Sequence, residues 1–425
     1  MTLRCFLFDL DMTLVDSEAL RAFRDSGNWS EVRRNMSLLR LFPSRQLHPH
    51  QLPGYLHKQG YKVGIVTSAP KWYADVIIEK FGIYNDLLIS YSDTKLHKPD
   101  PEPLIKALDI FKTEPEYACY LGDTADDMVA SFRAGVFPVG ADWGIRERSD
   151  LSAHAPGLIV SSPERFVNIE DWPNYGYIME VASGGIQPSI HLNSAIRWDD
   201  GKMDCFSLGR YYAQSDVRHA NSGLSRNIID LKNNNGNNAL FADAIETFIN
   251  QYLTRLGRKP AFVTYVPAWE GKVDRFANIF DILTRENGQG IQFIKNGLKT
   301  KRKIVDYKVK SAYEREKTLE DAFTTNLKWK GRILLIDDVY TSGATTRTCA
   351  KALLASGADE VMTCTFGRDQ DHSILQSRKC PECGMDLVVR VNRRQNSGRL
   401  GKRFWACKGW KPGGTGCNFT EPIDL

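Results

Sequence analysis

Residues 8–17 read Phe8-Asp9-Leu10-Asp11-Met12-Thr13-Leu14-Val15-Asp16-Ser17. Two carboxylates stand two positions apart and follow the apolar run 3–8, which is typical of a buried strand. In an open α/β sheet, side chains that follow a strand gather at its carboxyl edge, where such sheets bind ligands. One carboxylate held on Mg²⁺ can attack phosphorus, while its neighbour protonates the leaving group and later activates water. The pattern therefore predicts phosphoryl chemistry that uses both acids.

Three later segments supply the other parts of such a site. The strand-like run 62–67 ends in Thr67, whose hydroxyl and neighbouring backbone N–H groups can hold phosphoryl oxygens. Lys98 offers a cation that offsets crowded negative charge and fixes the nucleophile. Asp123 and Asp127 follow the run 117–121 and can share a metal, and their hard oxygen ligands suit Mg²⁺.

These four motifs, in this order, resemble the haloacid dehalogenase superfamily near its phosphoglycolate phosphatase-like branch. The resemblance covers residues 1–168 and implies a Rossmann-like α/β domain. It implies six catalytic residues, namely the nucleophile Asp9, the acid/base Asp11, the phosphate binders Thr67 and Lys98, and the metal-side acids Asp123 and Asp127. The implied magnesium ligands are Asp9, Asp11 and Asp123. For any single motif, the alternative is a capping or turn role.

The segment between the first motif and the second is short. About forty-five residues separate Asp16 from the run that begins at 62, with helical patterns at 18–26, 30–41 and 50–60. The last helix belongs to the core fold, so the first domain is expected to carry only a small helical cap. A small cap would admit nucleotides or a phosphorylated nucleic-acid end, and small-molecule phosphatases with reduced caps are an equal alternative.

A second phosphate-binding pattern follows the apolar run 332–336. Two acids and a small, hydroxyl-rich loop precede a predicted helix at 344–356, and the residues concerned are Asp337, Asp338, Thr341, Ser342, Gly343, Ala344 and Thr345. Backbone N–H groups at the helix start can receive a 5′-phosphate, and the acids can accept hydrogen bonds from ribose hydroxyls. Gly343 allows close backbone approach. The alternative is a generic strand–loop–helix turn.

This loop matches the type I phosphoribosyltransferase signature, and its surroundings resemble the ComF branch of that family. The matching segments are Tyr265-Val266-Pro267-Ala268-Trp269, Arg315, Ala322-Phe323 and Cys349-Ala350-Lys351-Ala352-Leu353. The resemblance implies a second α/β domain over 185–372 that binds phosphoribosyl pyrophosphate or a nucleotide. Its further predicted elements are strands at 261–266 and 360–365 and a helix at 239–253. The segment 298–316 lacks the Gln expected in ComF-like chains and is rich in Lys and Arg. Phosphoribosyl transfer and the sensing of phosphoribosyl pyrophosphate or a nucleotide are therefore both kept as alternatives.

Four of the nine cysteines lie in the last tenth of the chain, with the spacing C-x2-C-x23-C-x9-C, and they are Cys380, Cys383, Cys407 and Cys417. Four thiolates at this spacing predict a closed, structural zinc site in a small β ribbon over 378–425. The segment resembles the carboxyl-terminal zinc ribbons of type IA topoisomerases, although Gly413-Gly414 lengthens the final spacing.

Positive charge is concentrated in the same segment. The segment from Arg378 to Lys411 contains ten Lys or Arg residues and only two acidic residues, Glu382 and Asp386. Cations can track phosphates while aromatic rings stack on unpaired bases, which predicts binding of single-stranded DNA or RNA. The residues expected to carry it are Arg393, Arg394, Lys402, Arg403, Phe404 and Trp405. The alternative is a solvated basic face with its rings packed beneath the ribbon.

Size and composition fit a multidomain α/β protein: 425 residues, 42% hydrophobic, 25% charged and a net charge of +5. We place the linker at 169–184. No apolar run reaches the roughly 18 residues of a membrane span, and the apolar stretch at the amino terminus is too short for a signal peptide. A cytoplasmic location without a membrane partner is therefore expected. The leading prediction is an enzyme whose two α/β domains act on related phosphorylated nucleosides or sugars near nucleic acid. The alternative is a regulator that senses phosphoribosyl pyrophosphate or a nucleotide, with phosphatase output, in stress response, DNA uptake or phage defence.

Overall fold

The computed structural model forms two compact units, a first that ends at Gly176 and a second that begins at Tyr177. The residues that it describes are 3–44, 46–144, 151–169, 172, 176–185, 194–200, 203–269, 271–286, 290–302, 318–371, 380–385, 387–391, 403–407, 409–410 and 416–422. Across these ranges, none of the helices has the length and apolar character needed to cross a membrane.

The first unit is built on a six-stranded parallel sheet. Its strands are β1 Cys5–Phe8, β2 Lys62–Val66, β3 Leu87–Ile89, β4 Ala118–Gly122, β5 Phe137–Ala141 and β6 Leu158–Val160. They lie in the order β3-β2-β1-β4-β5-β6. Every residue of β1 is buried, as expected for a central strand covered on both faces, and this explains its unbroken apolar sequence. The predicted Rossmann-like parallel α/β fold is confirmed.

Two apolar layers cover the faces of this sheet. Phe6 and Phe8 of β1 join one layer, while Cys5 and Leu7 join the other, because successive side chains of a strand point to opposite faces. The helices of the unit are Arg21–Asp25, Trp29–Arg34, Leu52–Lys58, Lys71–Phe81, Glu102–Phe111, Ala125–Ala134 and Pro163–Val167. Between β1 and β2, the two short helices before Leu52 form the small cap.

The second unit contains a larger, mixed sheet. Its strands are β7 Ile196–Asp199, β8 Asp204–Ser207, β9 Arg210–Tyr211, β10 Phe262–Tyr265, β11 Gln292–Phe293, β14 Arg332–Tyr340 and β15 Glu360–Asp369. The order is β11-β10-β14-β15-β8-β7, with β9 also beside β15. Only the pair β7 and β8 is antiparallel among these described strands. A separate antiparallel pair consists of β12 Lys299–Thr300 and β13 Phe323–Thr324.

The helices of the second unit are Ile178–Ser183, Gly223–Lys232, Asn238–Thr247, Ala277–Glu286 and Ala344–Ala355. The predicted helix at 239–253 is α-helical only to Thr247 and continues as a π-helix over Phe248–Leu253. The predicted linker 169–184 also differs from the structure. Ile178 and Met179 are buried in the core of the second unit, whereas Trp172 is buried in that of the first.

The carboxyl-terminal segment contains a three-stranded antiparallel sheet. Its strands are β16 Leu387–Val391, β17 Arg403–Cys407 and β18 Thr420–Pro422, in that order. Cys380, Leu387 and Cys407 form its small buried cluster, against which Trp405 and Phe419 pack.

Candidate active site and metal centres

The carboxyl edge of the first sheet brings three predicted site residues together. Asp9 directly follows β1, Thr67 follows β2 and Asp123 follows β4, and β1 lies between the other two strands. The backbone N–H of Asp9 donates to the Leu121 carbonyl at 2.9 Å, and that of Thr67 donates to the Ile89 carbonyl at 2.9 Å. Both bonds continue the parallel ladders, so the sheet itself sets the positions of these side chains.

A tight turn follows Asp9. Met12 has a positive φ of 59°, and its N–H donates to the Val15 carbonyl at 2.8 Å. The turn also lies against Gly144, where an added Cβ would sit 1.8 Å from the Met12 carbonyl oxygen. Thr13 then donates to Asp123 Oδ1 at 3.3 Å. The turn therefore ties the segment after β1 to the acid after β4.

Lys98 connects two of the acids. Its Nζ lies 2.7 Å from Asp9 Oδ1 and 2.6 Å from Asp127 Oδ1, and it donates to the Tyr120 hydroxyl at 2.8 Å. Burial alone would lower the pKa of Lys98, but the carboxylates of Asp127 and Asp9 raise it well above its ordinary value. The lysine is thus a fixed, buried cation within the acid cluster.

Asp127 has a structural role and a site role at once. It closes a capping box at the start of the helix Ala125–Ala134, where Thr124 Oγ1 donates to its Oδ2 at 2.6 Å. Its other oxygen accepts from Lys98. An added Cβ at Gly122 would lie 2.5 Å from Cβ of Asp127, so glycine is required before Asp123 for this packing.

The carboxylates of Asp9, Asp123 and Asp127 each place an oxygen within 4.8 Å of the others, and all three residues are buried. Burial raises the pKa of Asp9 to about 7, with relief from Lys98 and added repulsion from Asp127. Burial and the same neighbouring acids raise the pKa of Asp123 well above its ordinary value. Closely spaced, buried hard oxygen donors fit Mg²⁺, whose charge would offset this repulsion.

The side chain of Asp11, expected among the magnesium ligands, lies outside this cluster. Its Oδ1 accepts a hydrogen bond from the Tyr73 hydroxyl at 2.7 Å and forms an ion pair with Arg24 at 2.8 Å. These two partners come from the helices Lys71–Phe81 and Arg21–Asp25, and they hold the carboxylate beside the cap. The acid cluster contains Asp127 instead.

A cavity of about 390 Å³ opens above these groups. Its walls include Asp9, Asp11, Thr67, Lys98, Asp123 and Asp127 together with the cap residues Arg21, Arg24, Asp25 and Trp29. The sequence analysis missed Arg24 and Tyr73. Arg24 had a usable signal, because it is a basic residue on a predicted cap helix, whereas a tyrosine on a core helix has none.

The comparisons with known proteins agree with this site. The model of the family described as haloacid dehalogenase-like hydrolase matches residues 50–141. The first unit carries a haloacid dehalogenase-like domain. Pyrophosphatase PpaX of Bacillus cereus is 35% identical over 107 residues, which are 25% of this chain and 50% of that protein. PpaX of Bacillus mycoides is 34% identical over the same shares. The chain thus spans about half the length of the curated relatives it matches.

Solved structures also resemble part of the chain. A haloacid dehalogenase-like hydrolase from Streptococcus pneumoniae shares 20% identity, with coverage of 40% of this chain and 99% of that one and a TM-score of 0.33. A predicted phosphoglycolate phosphatase from Haemophilus somnus shares 20% identity, with coverage of 40% and 99% and a TM-score of 0.35.

The acids of the second unit stand in a different setting from those of the haloacid dehalogenase-like domain. Strand β14 continues to Tyr340, so Asp337 and Asp338 lie inside the strand, and the loop before the helix Ala344–Ala355 is shorter than predicted. Gly343 has φ +72°, and an added Cβ would lie 2.0 Å from the Tyr340 hydroxyl oxygen. Thr341 is exposed, Ser342 and Thr345 are half-buried, and Ala344 is buried.

Arg275 is the residue that the sequence analysis missed in this unit. It forms ion pairs with Asp337 Oδ1 at 3.1 Å and Asp338 Oδ2 at 2.8 Å, and Lys232 lies 3.7 Å from Asp338 Oδ2. Burial and repulsion from Asp338 raise the pKa of Asp337 to about 6, against the opposing effect of Arg275. The sequence separates Arg275 from these acids by about sixty positions, so no local pattern could have paired them. Arg315 and most of the basic segment 298–316 lie outside the described residues.

The four cysteines of the carboxyl-terminal segment come together. All their sulfurs lie within 4.8 Å of one another. The Gly384 N–H donates to the Cys380 carbonyl at 2.9 Å, and the Gly409 N–H donates to Cys407 Sγ at 3.2 Å. These turns point the thiols inward, and four converging thiolates are a donor set that fits Zn²⁺.

The predicted nucleic-acid residues are described only in part. Arg393, Arg394 and Lys402 lie outside the described residues, as does the side chain of Arg403. Phe404 and Trp405 are both half-buried, and Trp405 packs against the buried cluster around Cys380. This contact favours a packing role for Trp405.

Proposed function

We propose that the first unit is a Mg²⁺-dependent phosphohydrolase that works through an aspartyl-phosphate on Asp9. The observation that carries the proposal is the contact of Lys98 with both Asp9 and Asp127 beside Asp123, at the carboxyl edge of the sheet. Asp9 and Asp123 would hold Mg²⁺, which neutralises charge on the phosphoryl oxygens. Similarity to haloacid dehalogenase-like hydrolases over residues 50–141 supports the same class of reaction.

We propose a role for each side chain from its contacts. Lys98 engages Oδ1 of Asp9 and fixes the carboxylate, and we assign Oδ2 as the atom that attacks phosphorus. As the new bond to phosphorus forms, the bond to the leaving oxygen breaks, and Asp11 delivers a proton to that oxygen. Asp11 then takes a proton from water, which attacks the aspartyl-phosphate and releases phosphate. Tyr73 and Arg24 hold Asp11 in position for both transfers.

The size of the cap supports the substrate class that we propose. Two short helices, Arg21–Asp25 and Trp29–Arg34, form the part of the cap that lines the cavity. So small a cover suits the phosphomonoester of a nucleotide or sugar, or a phosphate derived from nucleic acid.

For the second unit, we propose a phosphoribosyltransferase-type domain that binds phosphoribosyl pyrophosphate or a nucleotide at Asp337, Asp338 and the following loop. Two acids in the last part of β14, a short loop with Gly343 and a twelve-residue helix support this assignment. The alternative for this unit is a ligand-sensing regulator. One oxygen of each carboxylate pairs with Arg275, and that oxygen must exchange its partner before it can accept from a ribose hydroxyl. For the carboxyl-terminal segment, we propose a structural zinc ribbon that contacts single-stranded nucleic acid.

Asp9→Asn tests the phosphohydrolase. Wild type and variant are compared over a panel of phosphorylated metabolites and p-nitrophenyl phosphate with Mg²⁺, and Asp109→Asn, on an exposed helix position, serves as control. We expect Asp9→Asn to lose phosphate release at least a thousandfold while the first unit stays folded, because asparagine keeps the size of the side chain but is not a nucleophile. Retained turnover in Asp9→Asn would contradict the assignment.

A second experiment separates transfer from sensing. The full chain is incubated with Mg²⁺, phosphoribosyl pyrophosphate and a panel of nucleobases. Pyrophosphate release would identify a transferase. A higher melting temperature with phosphoribosyl pyrophosphate but without pyrophosphate release would identify a sensor. The absence of both effects would remove this ligand from the proposal.

A further inference from the structure

The cap carries a group of aromatic and basic side chains that the phosphohydrolase reaction does not use. Trp29, Arg33 and Trp72, here called the aromatic shelf, line an open groove of about 550 Å³ together with Ser30 and Arg34. Trp29 and Trp72 are half-buried and pack against the apolar layer of the first unit that contains Phe6 and Phe8, while Arg33 is exposed.

The shelf is continuous with the active site. Trp29 lines both the groove and the cavity above Asp9. Its ring centroid lies 5.7 Å from that of Tyr73, and the Tyr73 hydroxyl donates directly to Asp11. The ring of Trp72 lies 6.2 Å from that of Trp29. A molecule whose phosphate reaches Asp9 can therefore extend past Trp29 onto Trp72.

The chemistry of the shelf suits a flat ring that is joined to an anion. The guanidinium carbon of Arg33 lies 4.2 Å from the ring centroid of Trp72, a stacked cation–π arrangement. Among the described residues, Arg34 pairs with Glu31 but no carboxylate pairs with Arg33. Nucleobases stack on such rings largely irrespective of sequence, and arginine adds attraction for the base face and for phosphate. A sugar phosphate offers no ring face of this kind.

From these observations, which rest on the proposed phosphohydrolase, we infer that the substrate is a nucleotide whose base stacks on the aromatic shelf while its phosphate lies at Asp9. The same chemistry is present in a free nucleoside monophosphate and at the phosphorylated end of a single strand. The exposed Arg33 and the open outer end of the groove leave room for either.

The test compares two substrates that differ only by a base, adenosine 5′-monophosphate and ribose 5-phosphate. For the full-length wild type, we expect kcat/KM to be roughly tenfold higher for the nucleotide. Arg33→Ala should lower the nucleotide value toward that of ribose 5-phosphate and leave the latter unchanged. Trp72→Ala should lower the nucleotide value more than the ribose 5-phosphate value, since the ring of Trp72 also packs 5.8 Å from that of Tyr73, and Trp72→Phe should restore most of the loss. Arg4→Ala is the matched control, because Arg4 makes a similar cation–π contact with Tyr117, 4.4 Å from its ring centroid.

Equal values for the two substrates in the wild type, or equal losses on both in the shelf variants, would overturn the inference. A 5′-phosphorylated oligonucleotide in parallel distinguishes the sources, since a strand-end substrate should surpass the free nucleotide. If no phosphomonoester is hydrolysed, the proposed reaction fails by itself. Binding of labelled adenosine 5′-monophosphate is then compared between Asp9→Asn and Asp9→Asn/Arg33→Ala. Weaker binding by the double variant supports the aromatic shelf and equal binding overturns it, because any binding by the second unit is common to both proteins.

Discussion

Lys98→Met tests the electrostatic centre of the first unit. Lys98 contacts Asp9 and Asp127 at 2.7 and 2.6 Å, and only 7% of its side chain is exposed. Methionine keeps much of the aliphatic stem but removes the charge, which leaves two buried carboxylates without their cation. Removal of one partner of a buried ion pair typically costs about 3–5 kcal/mol. The exposed pair of Lys71 and Asp75 should be worth at most about 1 kcal/mol.

In Mg²⁺-free buffer at pH 8, we expect Lys98→Met to lower the opening free energy of β1 and β4 by about 3–5 kcal/mol, and Lys71→Met by about 1 kcal/mol or less. Hydrogen exchange resolved by peptide is the suitable assay, because a chain with two units need not unfold in one transition. Lys98→Met should also lose phosphatase activity, whereas Lys71→Met should keep it.

Two further measurements test the reasoning. Lys98→Met/Asp127→Asn should recover part of the lost stability, because asparagine leaves no unpaired charge at position 127. At pH 5, the defect of Lys98→Met should shrink, since burial raises the pKa of Asp9 to about 7 and a protonated Asp9 needs no cation. The electrostatic account would be refuted if Lys98→Met and Lys71→Met destabilise the first unit equally, or if the loss of opening free energy in Lys98→Met is the same at pH 5 and pH 8.

Other features of the two units yield three more expectations. Burial raises the pKa of Asp9 from 3.8 to about 7 in the folded chain, so the folded state keeps a proton that the unfolded state has lost between about pH 4 and 7. Thermal melting of the Mg²⁺-free first unit should therefore occur at lower temperature as pH rises through this window, and Mg²⁺ or Asp9→Asn should reduce the slope. Gly343→Ala should lower the stability of the second unit by about 1–3 kcal/mol and abolish its ligand binding without changing phosphatase activity, because φ is +72° and the Tyr340 hydroxyl occupies the space of a Cβ. Calorimetry with phosphoribosyl pyrophosphate measures the binding. Gly257→Ala is the control for backbone strain, because its added Cβ meets no atom within 4 Å. Elemental analysis should find one zinc per chain, and Cys383→Ser should release it and expose the β16–β17 amides to exchange, whereas Cys349→Ser should retain the zinc.

Strands β1, β2 and β4 of the first unit were predictable because they are almost entirely buried and read as largely apolar runs, whereas β3 and β6 were not among the predicted runs. The predicted runs 62–67 and 117–121 agree with β2 and β4 to within a residue. The site residues that follow those strands were predictable for the same reason, since the topology brings the ends of adjacent parallel strands together.

Side-chain partners between distant segments were not predictable from local patterns. Asp127 lies in the acid cluster, as its expected place on the metal side required, but Asp11 lies outside it because Arg24 and Tyr73 hold its carboxylate beside the cap. The end of β14 was misplaced because Asp337 and Asp338 are poor strand formers, and pairing with β15 overrides that preference. The boundary between the units at Gly176 lies inside the predicted linker 169–184, but the short helix Ile178–Ser183 within that segment gave no strong periodic signal and was not predicted.

The ion pairs of Arg275 make binding at the second acid pair an exchange reaction. A hydroxyl-bearing ligand has to displace the guanidinium before it can reach Asp337 and Asp338, and the measured affinity is reduced by the free energy of that displacement. The displaced guanidinium becomes available to an anionic group of the incoming ligand. A ligand that carries hydroxyls and a pyrophosphate together recovers the lost ion pairs, whereas a neutral nucleoside does not. In the ligand binding that we propose for the second unit, Arg275 would therefore act as an internal competitor that discriminates by ligand charge.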